Sequence, residues 1–73
     1  MLQPKIVLIS GCSSGIGAAL AEEFQRRGHV VYASARSASA LSGLASRGMR
    51  CLALDVTDAQ SIAAAVALVK AEQ

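Results

Sequence analysis

The sequence predicts an α/β fold in β-α-β-α-β-α order, the N-terminal half of a doubly wound parallel sheet. Three observations carry that prediction. Apolar runs at Ile6–Ile9, Val30–Ala33 and Met49–Leu54 alternate with longer stretches of helical periodicity. The connections between them are a few residues long. The first run shows no polar alternation, the habit of a strand buried on both faces between helix layers.

Taken in order, Ile6-Val-Leu-Ile9 is the first strand, expected to be buried on both faces. Ser10-Gly-Cys-Ser-Ser-Gly-Ile-Gly17 is too rich in glycine for a helix interior. From there Ile16, Leu20 and Phe24 recur every four residues, with Glu22, Glu23, Gln25 and Arg26 on the other side. That pattern predicts an amphipathic helix with Ile16, Leu20 and Phe24 inward. Arg26 and Arg27 complement its dipole, and Gly28 suits the residue just past its end. Val30–Ala33 is the second strand. Ser37–Arg47 predicts a shorter helix with Leu41, Leu44 and Ala45 inward and Gly48 closing it, although four serines there compete for backbone hydrogen bonds. Met49–Leu54 is the third strand. Thr57-Asp-Ala-Gln60 has the spacing of a capping box with Thr57 as N-cap, and Ile62, Val66 and Val69 follow at helical intervals.

Alternation of this kind gives a parallel sheet with right-handed crossovers. In the complete topology the first strand is central, with a fourth strand on its far side. No residues here take that place. Residues 1–73 therefore read as part of one domain. The edge of Ile6–Ile9 is expected to be open until the rest of the domain, or an oligomer partner, covers it.

At 73 residues, a chain buries only about 60% of its unfolded surface, which leaves stability marginal without support. Cys12 and Cys51 cannot form a disulfide framework, and no ligand cluster suggests a metal. Phe24 and Tyr32 are the aromatics, so the core must be aliphatic and alanine-rich. The net charge is +2 and the basic residues are scattered, which suits a phosphorylated small molecule and makes no case for nucleic acid. No apolar run reaches the ~18 residues of a membrane span. Met1-Leu-Gln-Pro-Lys5 leads into four apolar residues, too short for a secretory signal. Two free thiols point to a reducing compartment, and a cytoplasmic location is expected.

The chemistry begins at Gly11-x-x-x-Gly15-x-Gly17, between a strand and a helix. The first glycine permits a tight turn, the second lets backbone approach a pyrophosphate, and the third lets helix pack on strand. The helix start offers unpaired N–H groups and a positive dipole end to phosphates, with Ser13, Ser14 and the Ile16 backbone beside them. Glycines also serve ordinary turns, but the strand before and the helix after favour a Rossmann-type nucleotide site. A P-loop is excluded, because Ala18 and not Lys follows Gly17 and the four-residue gap between glycines is missing.

The second signal is Ser34-Ala-Arg-Ser37. A domain selective for NAD places an acid near this point to bond the ribose 2′-hydroxyl. Here no acid stands, and Arg36 can pair with a 2′-phosphate through a planar fork, with Ser34 or Ser37 as auxiliary donors. NADP(H) is the cofactor this favours, against the alternative that Arg36 merely lies in solvent. Asp55, followed by Val56, ends the third strand where a carboxylate can accept from the adenine amine; equally, Asp55 and Thr57 can simply start the next helix.

Ser10-Gly-Cys-Ser-Ser-Gly-Ile-Gly17 closely resembles the Thr-Gly-x-x-x-Gly-Ile-Gly signature of the short-chain dehydrogenases/reductases. Val31-Tyr-Ala-Ser-Ala-Arg36 is similar to the second strand of NADP-preferring members, and Leu54-Asp-Val-Thr57 to their adenine-contacting segment. Within the family the combination is similar to the hydroxysteroid and retinol dehydrogenases. Ser10 departs from the usual threonine but keeps the hydroxyl. The resemblance implies an NADP-dependent oxidoreductase whose catalytic Ser, Tyr-x-x-x-Lys pair and Asn-Asn-Ala-Gly segment lie further along. None of them is present here, so these residues are expected to catalyse nothing alone.

Tyr32 is no substitute. Arg36 follows four residues later on a strand, about 13 Å away, where a helix would bring the pair within about 5–6 Å. Tyr32 is expected to pack near the sheet. Cys12 sits beside a helix N-terminus, but lacks a partner and reads as a loop residue whose oxidation would block cofactor. His29 reads as a strand-entry residue, and Glu22 and Glu23 as a solvated face. Two other functions compete: a non-catalytic chain that binds nucleotide or caps a partner's sheet, and a methyltransferase-like use of the loop. Arg36 argues against the last, which calls for a ribose-binding acid.

Overall fold

The computed structural model describes residues 4–73; Met1–Gln3, the head of the opening weighed as a leader, lie outside the described residues. Strand β1 spans Ile6–Ile9, helix α1 Gly15–Arg26, strand β2 Val30–Ala35. A 3-10 turn at Ala38–Leu41 runs into the one-turn helix α2 at Ser42–Ala45, then strand β3 at Arg50–Ala53 and helix α3 at Ala59–Glu72. The three strands are parallel in the order β1-β2-β3. That is half of a doubly wound sheet, with β1 at an edge.

Register decides the faces. Ile9, Ala33 and Cys51 share one row, and Tyr32 pairs with Leu8 on one side and Arg50 on the other. On one face Val31, Ala33 and Ala35 meet Ala21 of α1 together with Leu41, Leu44 and Met49. Successive strand side chains alternate, so Tyr32 points the other way, and its hydroxyl donates to Glu72 Oε1 of α3 at 2.7 Å. The expectation that Tyr32 packs at the sheet is met, since it is fully buried.

Two helix ends close as their glycines require. Gly28 and Gly48 adopt positive φ, 91° and 89°. His29 N–H then reaches back to the Phe24 carbonyl and Met49 N–H to that of Leu44, the six-to-one bond of a Schellman end. His29 Nδ1 accepts from the Lys5 N–H at 3.0 Å, which ties the entry of β1 to that of β2.

Five sequence expectations need correction. β1 is not buried on both faces: Ile6 is 48% exposed, because no strand covers the outer edge. The inward ridge of α1 is Gly17 and Ala21, while Ile16 and Leu20 lie 80% and 49% exposed. Small residues let the helix approach the sheet closely, and the large ones are turned outward. The same holds in α3, where Ala65 is buried and Ile62 and Val66 are exposed. The Ser37–Arg47 helix breaks into the 3-10 turn and α2, as serine competition for backbone bonds allows: the Ser46 hydroxyl donates to the Gly43 carbonyl at 2.8 Å. Finally, Asp58 and not Thr57 caps α3, its carboxylate accepting from Gln60 N–H at 2.9 Å.

Candidate functional site

The carboxyl ends of all three strands open on one side, where ligands bind in sheets of this kind. A cleft of about 540 Å³ lies there, lined by Gly11 and Ser13, by Arg36 and Ser37, and by Asp55 and Val56 among others. The size falls within the usual range of small-molecule sites, roughly 300–1,000 Å³. Six of the ten site residues expected from sequence thus share one cavity wall. Ser10, Ala40, Leu54 and Thr57 also line it. Of these, Ser10 carried a signal in the glycine motif and Leu54 and Thr57 in the Leu54-Asp-Val-Thr57 segment, whereas Ala40 had none.

The remaining four, Ser14, Gly15, Ile16 and Gly17, form the start of α1. The Ser14 hydroxyl is held by the chain itself, donating to the Gly11 carbonyl at 2.8 Å and accepting from Gly17 N–H at 3.4 Å. The amides of Gly15 and Ile16 find no acceptor among the described residues. They are the free donors at the positive end of the helix dipole.

Three glycines of the loop are glycine for three different reasons. Gly11 has φ of 71°, which L side chains resist. A Cβ on Gly17 would meet the Gly11 carbonyl and come within 3.0 Å of Cys12 Cα, so helix and loop can only touch there without a side chain. Gly15 has neither constraint: its φ is ordinary and nothing lies within 4 Å of where its Cβ would be. The fold does not ask for glycine at position 15. The space beside it is open, as close approach of a ligand to the backbone would require.

The loop is fixed to the second strand from beneath. Cys12 N–H donates to the Ser34 carbonyl at 2.9 Å, and the Cys12 thiol, buried in the core, points at the Ile9 carbonyl at 3.3 Å. Two sequence expectations change here. Cys12 is a core residue and not an accessible loop thiol, a fact hidden because the loop doubles back under itself. Ser34 cannot serve a ligand, because it is fully buried and its hydroxyl donates to the Ile9 carbonyl at 2.7 Å. Cys51 packs beside that core; burial, and secondarily the nearby Cys12, push its thiol pKa up. Among the described residues no His, Cys, Asp and Glu gather as a metal site.

Arg36 leaves the end of β2 with its side chain 83% exposed at the rim of the cleft, Nη2 lying 3.8 Å from Asp55 Oδ2. Asp55 is held from below: Oδ1 accepts from the Thr57 hydroxyl at 2.6 Å and from the Thr57 amide at 3.0 Å. Those bonds, with the Arg36 charge a smaller contribution, keep its carboxyl below the ordinary range. The helix-starting role weighed for Asp55 and Thr57 is thus present, and Oδ2 still faces Arg36. Ser37 is exposed, its hydroxyl 2.8 Å from that of Ser39. Arg36 and the ionised Asp55 on the wall of the cleft, with the unpaired amides that follow the Gly11–Ser13 stretch of the loop, can bind a phosphorylated nucleotide and orient its base.

The family pattern described as short chain dehydrogenase matches residues 5–73. An NADPH-dependent 1-acyldihydroxyacetone phosphate reductase of Schizosaccharomyces pombe is 48% identical over 59 residues, 80% of this chain and 20% of that protein. The crystal structure of a short-chain dehydrogenase from Streptomyces avermitilis superposes with a TM-score of 0.88 at 35% identity, covering 97% of this chain and 27% of that one. A short-chain dehydrogenase from Sphingobium yanoikuyae in complex with NADPH gives 0.70 at 42% identity, over 85% of this chain and 27% of that one. The chain spans between 20% and 25% of the first curated relatives it matches. Proteins of this kind use nicotinamide cofactors, and the match over residues 5–73 means that the chain belongs to the short-chain dehydrogenase family.

Proposed function

We propose that this chain is the cofactor-binding portion of an NADP(H)-dependent oxidoreductase acting on a carbonyl or alcohol substrate. The observation that carries the cofactor choice is Arg36: exposed at the rim of the cleft that Gly11 and Ser13 also line, with no acid at the end of β2. The NADPH-dependent relative and the NADPH-bound neighbour support it. Gly11, Ser13, Gly15, Ile16 and Gly17 would hold the pyrophosphate, Ser14 shaping that turn from within. Arg36 and Ser37 would take the 2′-phosphate, Asp55 and Val56 the adenine.

The residues present fit the group, since the space above Gly15 is what a pyrophosphate needs. When bound, the nicotinamide supplies hydride; this chain's residues bind and orient the far end of the molecule. Residues 1–73 then form part of one dinucleotide-binding domain, with the rest of that domain or an oligomer partner covering the open edge of β1. Among the described residues no helix is long and apolar enough to cross a membrane. The two free cysteines favour the reducing cytoplasm.

The test is Arg36→Asp in the intact natural protein. NADPH affinity is expected to fall by about tenfold or more, with NADH unaffected or improved. Equal affinities before and after the change would remove Arg36 from the site. A second reading, a non-catalytic chain capping a partner's sheet, draws on the exposed edge at Ile6. The intact mass of the natural protein separates the two: a protein of ~250 residues, within the size of one α/β domain, favours the enzyme.

A further inference from the structure

The carboxylate of Asp55 is divided between two tasks. Oδ1 accepts twice from the same neighbour, the Thr57 hydroxyl at 2.6 Å and the Thr57 amide at 3.0 Å. The backbone around it is pinned as well: Asp55 N–H donates to Ser61 Oγ of α3 at 2.9 Å, and the Asp55 carbonyl accepts from Asp58 N–H at 3.0 Å. A carboxylate anchored in this way is fixed about both of its side-chain torsions. Only Oδ2 remains free, and it faces Arg36 at 3.8 Å. Thr57 is not needed for the helix start, because Asp58 caps α3. Its hydroxyl is therefore committed to Asp55, on the wall of the cleft.

We propose that Thr57 is a positioning residue for the adenosine end of the cofactor: by occupying Asp55 Oδ1, it aims Oδ2 at the cleft and keeps carboxylate and Arg36 guanidinium in one preformed arrangement. The proposal rests on reading the cleft as an NADP(H) site. Its chemical reason is the closeness of unlike tasks. An acid beside a 2′-phosphate site repels the phosphate if it can swing toward it, and helps only if one oxygen is held on the adenine amine. Thr57 removes that freedom. An aspartate with the same contacts but no such clamp would present either oxygen, and would lose affinity in reorganising.

The experiment measures binding of adenosine 2′,5′-bisphosphate and of nicotinamide mononucleotide to the intact natural protein by calorimetry. The variants are Thr57→Val, Thr57→Ser, Asp55→Asn and the Thr57→Val/Asp55→Asn pair. Thr57→Val is expected to weaken the bisphosphate about fivefold, the effect of one hydrogen bond, and Thr57→Ser to restore it to within about twofold. Nicotinamide mononucleotide should bind all variants alike. In the Asp55→Asn background, Thr57→Val should add nothing, since the two act through one carboxylate. Wild-type affinity in Thr57→Val, or an equal further loss in the Asp55→Asn background, overturns the positioning role and leaves the cofactor reading intact. Failure of the unaltered protein to bind the bisphosphate overturns the reading and the proposal together. Should Thr57→Val not fold, Thr57→Ala is compared with Thr57→Ser by the same criteria.

Discussion

The two faces of the sheet are held by different forces. On the α1 and α2 side, Ala21, Val31, Ala33, Ala35, Leu41, Leu44 and Met49 form one buried cluster, with Ile9, Ala18, Phe24 and Cys51 at its border. On the α3 side Ala65 is buried but Ile62, Val66 and Leu68 are each more than 40% exposed. A shallow gap of about 270 Å³ remains between α3 and β3, walled by Leu52 and Leu68 among others. What fixes α3 is polar and lies near its two ends: Ser61 on the Asp55 amide, and Glu72 with Gln73 on the Tyr32 hydroxyl. Apolar burial scales with area and stabilises; a few hydrogen bonds orient but contribute modestly. The cofactor cleft draws on both. Its glycine loop is rooted in the well-packed face through Cys12, and its Asp55 wall leads into the loosely packed helix.

The contrast breaks if Gly17→Ala is tolerated. A Cβ there meets backbone of the loop on one side, and neither the loop nor α1 can move without leaving the cluster. Overpacking typically costs about 1–3 kcal/mol, and backbone that cannot yield puts this change at about 3 kcal/mol or more. Denaturant unfolding of the intact protein measures it. Next comes a matched pair of truncations. Leu41, 1% exposed, should lose about 2–5 kcal/mol on change to Ala. Val66, 42% exposed, should lose under about 1 kcal/mol for the same kind of change. Similar losses at the two positions would mean that α3 is packed as tightly as the other layer.

The same contrast explains what the sequence disclosed. Strand positions, the glycine loop and the closing roles of Gly28 and Gly48 were all legible, because each depends on local chemistry: apolar runs, positive φ, charge at a helix end. The cleft was legible for six residues, because a glycine loop and two strand ends must meet at the same sheet edge. The inward ridges of α1 and α3 were not. Periodicity finds an apolar stripe, but which of two adjacent ridges touches the sheet depends on how closely the helix can approach. Gly17 with Ala21, and Ser61 with Ala65, allow a closer approach than Ile16 with Leu20 or Ile62 with Val66. Cys12 and Ser34 were misplaced for a related reason. Their burial follows from bonds to Ile9, three and twenty-five residues away, and no spacing rule encodes the longer of these.

Tyr32→Phe sharpens the comparison at intermediate size. The ring stays in place and two hydrogen bonds go, the donation to Glu72 at 2.7 Å and the acceptance from Gln73 at 2.8 Å. Glu72 keeps some solvent and a loose contact with Arg50 at 3.7 Å, so it is not stranded. A loss of about 1–2 kcal/mol is expected. It should be local: amide exchange should quicken in the last turn of α3 and stay unchanged in α1. Faster exchange in both helices would mean that the two faces unfold as one unit, and that the difference in packing has no counterpart in dynamics.

The smallest effect belongs to Asp55, and its sign follows from the lowered carboxyl pKa. Hydrogen bonds from the Thr57 hydroxyl and amide, then the Arg36 charge, favour the ionised form in the folded chain. A group depressed in this way adds stability above its unfolded pKa, near the ordinary 3.8, and loses it as pH falls through the lower folded value. Between pH 7 and 5 Asp55 should therefore contribute no slope. Below about pH 4 that contribution should begin to be lost. The carboxylate is solvent-accessible, so the contribution is slight, and Asp55→Asn should flatten only the acid end of the stability profile. Adding salt should change that end little, because the Arg36 contact is the weaker of the two causes and the only one that screening touches. A strong salt dependence would reverse that ranking and make Arg36, not Thr57, the group that governs Asp55.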